Sequence, residues 1–163
     1  MSGFYRIICA YAITFMTITE ALHWAHTEEI EALDAEVLLG HLLQRDRAFL
    51  RAYGDAVLNQ HQEIDFRSFI KRRKMHEPVA YIVEGKEFFG IPYIVDSRVL
   101  VPRPETELLV EEGLRIIQEK NIELVADIGT GSGAIAIALA LNVPEIGVYG
   151  LDTSKDALKI AKL

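Results

Sequence analysis

Hydrophobic and polar positions follow two regimes along the chain. Between Thr17 and about Met75, apolar residues recur every three or four positions, the spacing of helices buried along one face. Thr17-Ile-Thr-Glu20 is a capping-box pattern, and Ile18, Ala21, Leu22 and Ala25 behind it share one side. Asp34 is suited to cap a second helix running to Leu43, with Val37, Leu38 and Leu42 inward. A short third helix over residues 47–53 stops near Gly54. Asn59 opens a fourth, which turns Ile64, Phe69 and Ile70 inward and closes on the basic run Lys71-Arg-Arg-Lys74, with Pro78 as the stop. Residues 16–76 are therefore expected to form a small helical domain.

After Pro78 the period falls to about 2. Val79-Ala-Tyr-Ile-Val83 and Lys86-Glu-Phe-Phe89 flank Glu84-Gly85, while Tyr93-Ile-Val95 and Val99-Leu-Val101 flank Asp96-Ser-Arg98. Residues 77–100 thus read as a β-hairpin linker. The proline-stiffened loop Val101-Pro-Arg103-Pro104-Glu-Thr106-Glu107 follows. Glu105 or Thr106 then opens a helix through Glu119 whose apolar positions are Leu108, Leu109, Val110, Leu114 and Ile117. Leu124-Val-Ala-Asp127-Ile-Gly129-Thr130-Gly131-Ser132-Gly133-Ala134 predicts strand, glycine turn and helix. The glycines remove every Cβ between the backbone and a ligand, and the helix points unpaired N–H groups back over the turn. A second strand ends on Asp152, about 20 residues further on, where such folds place an acid that hydrogen-bonds a ribose. The class is α/β, with a nucleoside-binding half-fold over residues 101–163.

Composition narrows the picture only a little. Half of the residues are hydrophobic and a quarter charged, as in ordinary globular proteins. A net charge of −7 argues against a protein whose main affinity comes from wrapping a phosphate backbone, so no direct nucleic-acid partner is expected. The single cysteine, Cys9, rules out an internal disulfide and suits a reducing compartment, and no Cys/His cluster suggests a metal. Residues 1–15 are apolar with one charge, Arg6, and too short to span a bilayer; they are expected to be a non-native leader ahead of a true start at Met16.

The candidate chemistry lies in the glycine turn, which admits two readings. Gly129, Gly131 and Ala134 satisfy the loose dinucleotide pattern G-x-G-x-x-A. Asp127 through Gly133 also fits D-x-G-x-G-x-G, which resembles motif I of the class I methyltransferases that bind S-adenosylmethionine. A carboxylate two residues ahead of the turn favours the second, since a pyrophosphate gains nothing from a neighbouring negative charge.

Three blocks together resemble the HemK/PrmC family of glutamine N5-methyltransferases acting on peptide chain release factors. They are Arg72-Arg-Lys-Met-His-Glu77-Pro78-Val-Ala-Tyr81-Ile, Val99-Leu-Val-Pro102-Arg103-Pro104-Glu105-Thr106-Glu107, and Asp127 through Ala136. The resemblance implies a Rossmann-like domain beginning near residue 101 and truncated at Leu163, with S-adenosylmethionine as cofactor. Gly129, Thr130, Gly131, Ser132 and Gly133 would surround the methionine portion, and Asp152 would hold the ribose. Arg103, Pro104 and Thr106 would line the same cleft. It also implies methylation of the glutamine amide in a Gly-Gly-Gln motif, a release factor as partner, docked by the helical domain over residues 16–76, and a cytoplasmic, membrane-free monomer. The family's Asn-Pro-Pro-Tyr block does not occur, the nearest match being Asn142-Val-Pro144, so no catalytic residue is assigned and the chain is expected to be inactive alone. The alternatives are a ribosomal-protein glutamine methyltransferase, an NAD-dependent oxidoreductase and a non-catalytic docking module. The basic run at 71–74 either meets an acidic surface or is a solvated helix end.

Overall fold

The computed structural model describes residues 15–163, so the expected leader lies, apart from Phe15, outside the described residues. The chain is α/β and divides into two compact units between Met75 and His76.

The first unit holds α1 (Ile18–Thr27), α2 (Ala32–Leu43), α3 (Arg47–Ala52) and α4 (Gln60–Lys74). Three of the four helices start on side-chain caps. Thr17 and Glu20 bond reciprocally at 3.2 and 2.7 Å, Asn59 and Gln62 do so at 2.9 Å each, and the Asp46 carboxylate accepts from Phe49 N–H at 2.8 Å. α2 corrects the expectation. It begins two residues ahead of Asp34, and its N-cap Glu31 makes no side-chain bond. The Asp34 carboxylate instead accepts from Arg73 at 2.6 Å, while Lys74 pairs with Glu28, also at 2.6 Å. Arg73 and Lys74 therefore tie the end of α4 to the rest of the bundle.

Helix phase supplies the second correction. Val37 and Ile64 are exposed, and Leu39 and Phe66 occupy the core with Ile18, Ala21, Leu38 and Ile70. Residues two apart in a helix point about 200° away from each other, so Ile64 cannot share a face with Phe66, nor Val37 with Leu39. Packing selects the partner that gives the continuous stripe.

The second unit runs α5 (Val79–Ile82), β1 (Gly85–Phe88), β2 (Ile91–Ile94), a 3-10 turn over Pro104–Thr106, α6 (Glu107–Lys120), β3 (Leu124–Ile128), α7 (Ala134–Asn142), β4 (Gly147–Leu151) and α8 (Lys155–Ile160). Residues 79–83, expected as a strand, form one helical turn instead. Pro78 supplies a fixed φ of −58° at its start, and Val83 N–H closes on the Val79 carbonyl at 3.0 Å. Five apolar residues are too few to distinguish the two periods. Residues 99–101, the fourth expected strand, are irregular. The hairpin exists with a different turn: Phe88 faces Ile91, so its two-residue loop is Phe89-Gly90 rather than Glu84-Gly85. Both loop residues have positive φ, 53° and 71°, the combination whose twist matches that of paired strands.

The hairpin is more than a connection. Phe88, Tyr93, Val95 and Val99 enter one core with Val110, Ile117, Ala134, Ala138, Leu139 and Ile160. On α6, Val110 and Ile117 face that core, while the apolar Leu108 and Leu109 are exposed. β3 and β4 pair in parallel, Leu124 against Gly147 through Ile128 against Leu151, with α7 as the crossover. Val125 and Val148 pack against the core, whereas Leu124, Ile128, Tyr149 and Leu151 form an exposed apolar face on the other side of the sheet.

Candidate functional site

The glycine turn joins the C-terminal end of β3 to α7. Gly129, Gly131 and Gly133 all have left-handed φ, at 83°, 56° and 81°, a region that side chains disfavour. Their surroundings separate them by role. A Cβ at Gly129 meets nothing within 4 Å, and one at Gly131 meets only the Gly129 carbonyl at 4.0 Å. These two positions leave bare backbone beside open space. At Gly133, the N-cap of α7, a Cβ would lie 3.0 Å from Ile137 Cδ1 and 3.3 Å from Ala161 Cβ, so this glycine serves helix packing.

Two carboxylates organise the turn. Thr130 Oγ1 donates to Asp127 Oδ2 at 2.7 Å, and Gly131 N–H donates to Asp152 Oδ2 at 2.9 Å. The Leu151 carbonyl accepts from both Gly129 N–H and Thr130 N–H, at 2.7 and 2.9 Å. Asp152 Oδ1 meanwhile accepts from Ser154 N–H at 2.8 Å, and Ser154 caps α8 by accepting from Ala157 N–H at 3.1 Å. The N–H groups of Ser154 and Gly131 hold the Asp152 carboxyl below the ordinary carboxylate range. It is therefore an ionised, acceptor-only group, and each oxygen retains lone-pair capacity for a further donor such as a sugar hydroxyl.

The expected site residues thus fall into two groups. Hydrogen bonds tie Gly129, Thr130, Gly131, Gly133 and Asp152 into one constellation, and Ser132 lies within the same turn, buried like Thr130. Arg103, Pro104 and Thr106 lie in the 3-10 turn ahead of α6, closed by Thr106 N–H donating to the Arg103 carbonyl at 3.0 Å. Two cavities lie beside the glycine turn, one of about 250 Å³ touching Thr130 and Gly133, the other of about 290 Å³ touching Ser132. Arg103, Pro104 and Thr106 line neither. Glu107, the last residue of that block, is structural, since its Oε1 accepts from Phe89 N–H at 2.8 Å and secures the hairpin turn. Among the described residues, no cluster of His, Cys, Asp or Glu is placed to hold a metal ion.

Sequence reasoning missed two contributors. Gly150 on β4 leaves room for Thr130, since a Cβ there would lie 3.0 Å from Thr130 Oγ1 and 3.2 Å from its Cγ2. Tyr93, in the hairpin, donates its hydroxyl to the carbonyl of Ala134, the first residue of α7, at 3.1 Å. A glycine inside a strand is a readable hint of close approach, but nothing in the sequence pairs positions 93 and 134.

Comparison with known proteins agrees with the sequence blocks. Residues 18–83 match the family described as PrmC N-terminal domain. A protein of Shewanella oneidensis named release factor glutamine methyltransferase is 41% identical over 150 residues, covering 89% of this chain and 52% of that protein. One of the same name from Xylella fastidiosa (strain Temecula1) is 44% identical over 141 residues, covering 86% and 51% respectively. Another from Escherichia coli is 36% identical over 145 residues, covering 89% and 52%. The chain spans about half the length of the curated relatives it matches.

Proposed function

We propose, from the resemblance of this chain to the HemK/PrmC family over most of its length, that it carries the substrate-docking domain and the donor-binding start of a protein-glutamine N5-methyltransferase. The observation that carries the reading is the Asp127–Asp152 constellation. Bare backbone at Gly129 and Gly131 faces open space, one carboxylate stands at each end of the turn, and α7 directs its N-terminus toward it. These features suit S-adenosylmethionine. The glycine turn would follow its methionine portion, and Asp152 would accept from its ribose. The β3–α7–β4 crossover would be the opening of a Rossmann-like sheet. A nicotinamide dinucleotide fits less well, because Asp127 places negative charge beside the turn.

S-adenosylmethionine, when bound, supplies an electrophilic methyl group on a sulfonium. The chain's residues bind and orient: Asp152 fixes the sugar, and the Thr130–Asp127 bond holds the turn's shape. An amide nitrogen is a poor nucleophile because its lone pair is delocalised into the carbonyl, so the acceptor glutamine must also be gripped and aligned. The proposed acceptor is the Gly-Gly-Gln glutamine of a peptide chain release factor, a cytoplasmic substrate. The described residues contain no helix long and apolar enough to cross a membrane.

No residue among the 163 is assigned to gripping the acceptor, and one side of the β3–β4 sheet is open. We therefore expect the chain to bind S-adenosylmethionine weakly and to transfer no methyl group by itself. Calorimetric titration checks the first point, with micromolar affinity the contrary result. In a chain extended with the relatives' remaining half, methyl transfer to a release factor and tight donor binding should both appear. Asp152→Ala or Gly131→Val should then remove that binding. Retained donor affinity in both variants would place the donor elsewhere.

A further inference from the structure

We infer that Tyr93 is a positioning residue for the glycine turn, holding the entry of α7 against the hairpin, an inference that rests on reading this turn as the donor site. Tyr93 sits in β2 opposite Lys86, is only 6% exposed, and meets Phe88 edge-to-face at 6.0 Å. A phenylalanine would fill the same space without a polar atom to satisfy. The hydroxyl instead spans 41 residues of sequence to reach the Ala134 carbonyl, one residue beyond the left-handed Gly133. That carbonyl has two lone pairs, enough for the helix's own ladder bond and the hydroxyl together. Burial pushes the Tyr93 pKa up to about 12, so the group remains a neutral donor across the working range.

The location gives the bond its consequence. A turn with three glycines at positive φ has few side chains to pack it, and its shape depends on outside ties. On the β4 side those ties are the Leu151 carbonyl and Asp152, which take the N–H groups of Gly129, Thr130 and Gly131. They stop at Gly131. The far end, where the turn becomes helix, is tied from the hairpin by Tyr93. Between the two ties lies Ser132, which shares a cavity with Ile91, Pro92, Tyr93 and Ile94. The hairpin is thereby one wall of the donor turn, and Tyr93 acts on a donor through Ala134 rather than by touching it.

The test is made on the whole 163-residue chain by nuclear magnetic resonance. In Tyr93→Phe, the amides from Gly131 to Ala134 should exchange roughly five-fold faster, the effect of one lost hydrogen bond. The Ala134 carbonyl carbon should shift upfield, and the amides of β1, β2 and α1 to α4 should keep their rates. Placing 3-fluorotyrosine at position 93, which makes the hydroxyl a stronger donor without altering the packing, should move that carbon the opposite way. Unchanged exchange in the turn, a uniform acceleration throughout residues 76–163, or carbonyl shifts of the same sign in both variants would overturn the inference. Titration with millimolar S-adenosylhomocysteine separates it from the functional reading. If the turn amides respond to Tyr93→Phe but never to that ligand, Tyr93 positions a turn that is not the donor site.

Discussion

Asp152 shows how one side chain carries both local structure and candidate chemistry. Its oxygens take the N–H groups of Gly131 and Ser154, so a single carboxylate joins the glycine turn to the start of α8. Because those bonds lower its pKa in the folded state, they contribute stability that is fully present above the unfolded value, about pH 4. That stability is lost as pH falls through the lowered folded value. Asp152→Asn, which cannot ionise, should flatten the acid dependence of the second unit's urea midpoint from about pH 5 downward. A slope identical to that of the parent chain would show that the carboxylate bonds form equally well when it is protonated. Thr130 and Gly150 form a second residue-level pair. Gly150→Ala should destabilise the unit by about 1–3 kcal/mol by crowding Thr130. Combining it with Thr130→Ala should recover part of that loss, and simple additivity in a double-mutant cycle would disprove the contact.

At the scale of elements, helix ends are more legible in the sequence than helix faces. Thr17/Glu20 and Asn59/Gln62 bond as capping pairs. Asn59→Ala should cost about 1 kcal/mol in chemical denaturation of the first unit, whereas Glu31→Ala at the uncapped start of α2 should cost almost nothing. Asp34 has the right chemistry for a cap but does not serve as one, because its charge is engaged by Arg73, a residue 39 positions away. The hairpin turn differs from expectation for a related reason. Glu84-Gly85 looks as turn-like as Phe89-Gly90, and register is decided by which side chains the core accepts. Phe88 and Tyr93, buried on β1 and β2, require the loop to fall at 89–90. Gly90→Ala, at a φ of 71°, should lower the stability of the second unit by about 1 kcal/mol, read from its urea midpoint.

At the scale of the whole molecule, the two units differ in how fully they bury themselves. The first has a closed set of inward positions, and Phe66→Ala, removing a side chain with no exposure, should cost about 3–5 kcal/mol in its unfolding. In the second, α6, α7, α8 and the hairpin share a core with one side of the β3–β4 sheet, while Ile128 on the other side is 77% exposed. A parallel pair of strands open on one face is unusual, because such sheets are ordinarily covered on both. Ile128→Lys should therefore change stability by no more than about 0.5 kcal/mol, read from the urea midpoint of the second unit. A loss of several kcal/mol would mean the face is covered in solution.

What the sequence alone determined were the features encoded within a few residues of one another: the helix caps at Thr17 and Asn59, the strand–glycine–helix order, and the acid that follows β4. Those signals are local because backbone conformation and capping are local. Tertiary structure decided which of two helix faces turns inward, which residues of the hairpin form its loop, and which partners claim Asp34, Glu107 and Tyr93. Each of these is a choice between locally equivalent options. Only the surface packed against it, supplied by residues distant in the chain, makes one of them lower in free energy.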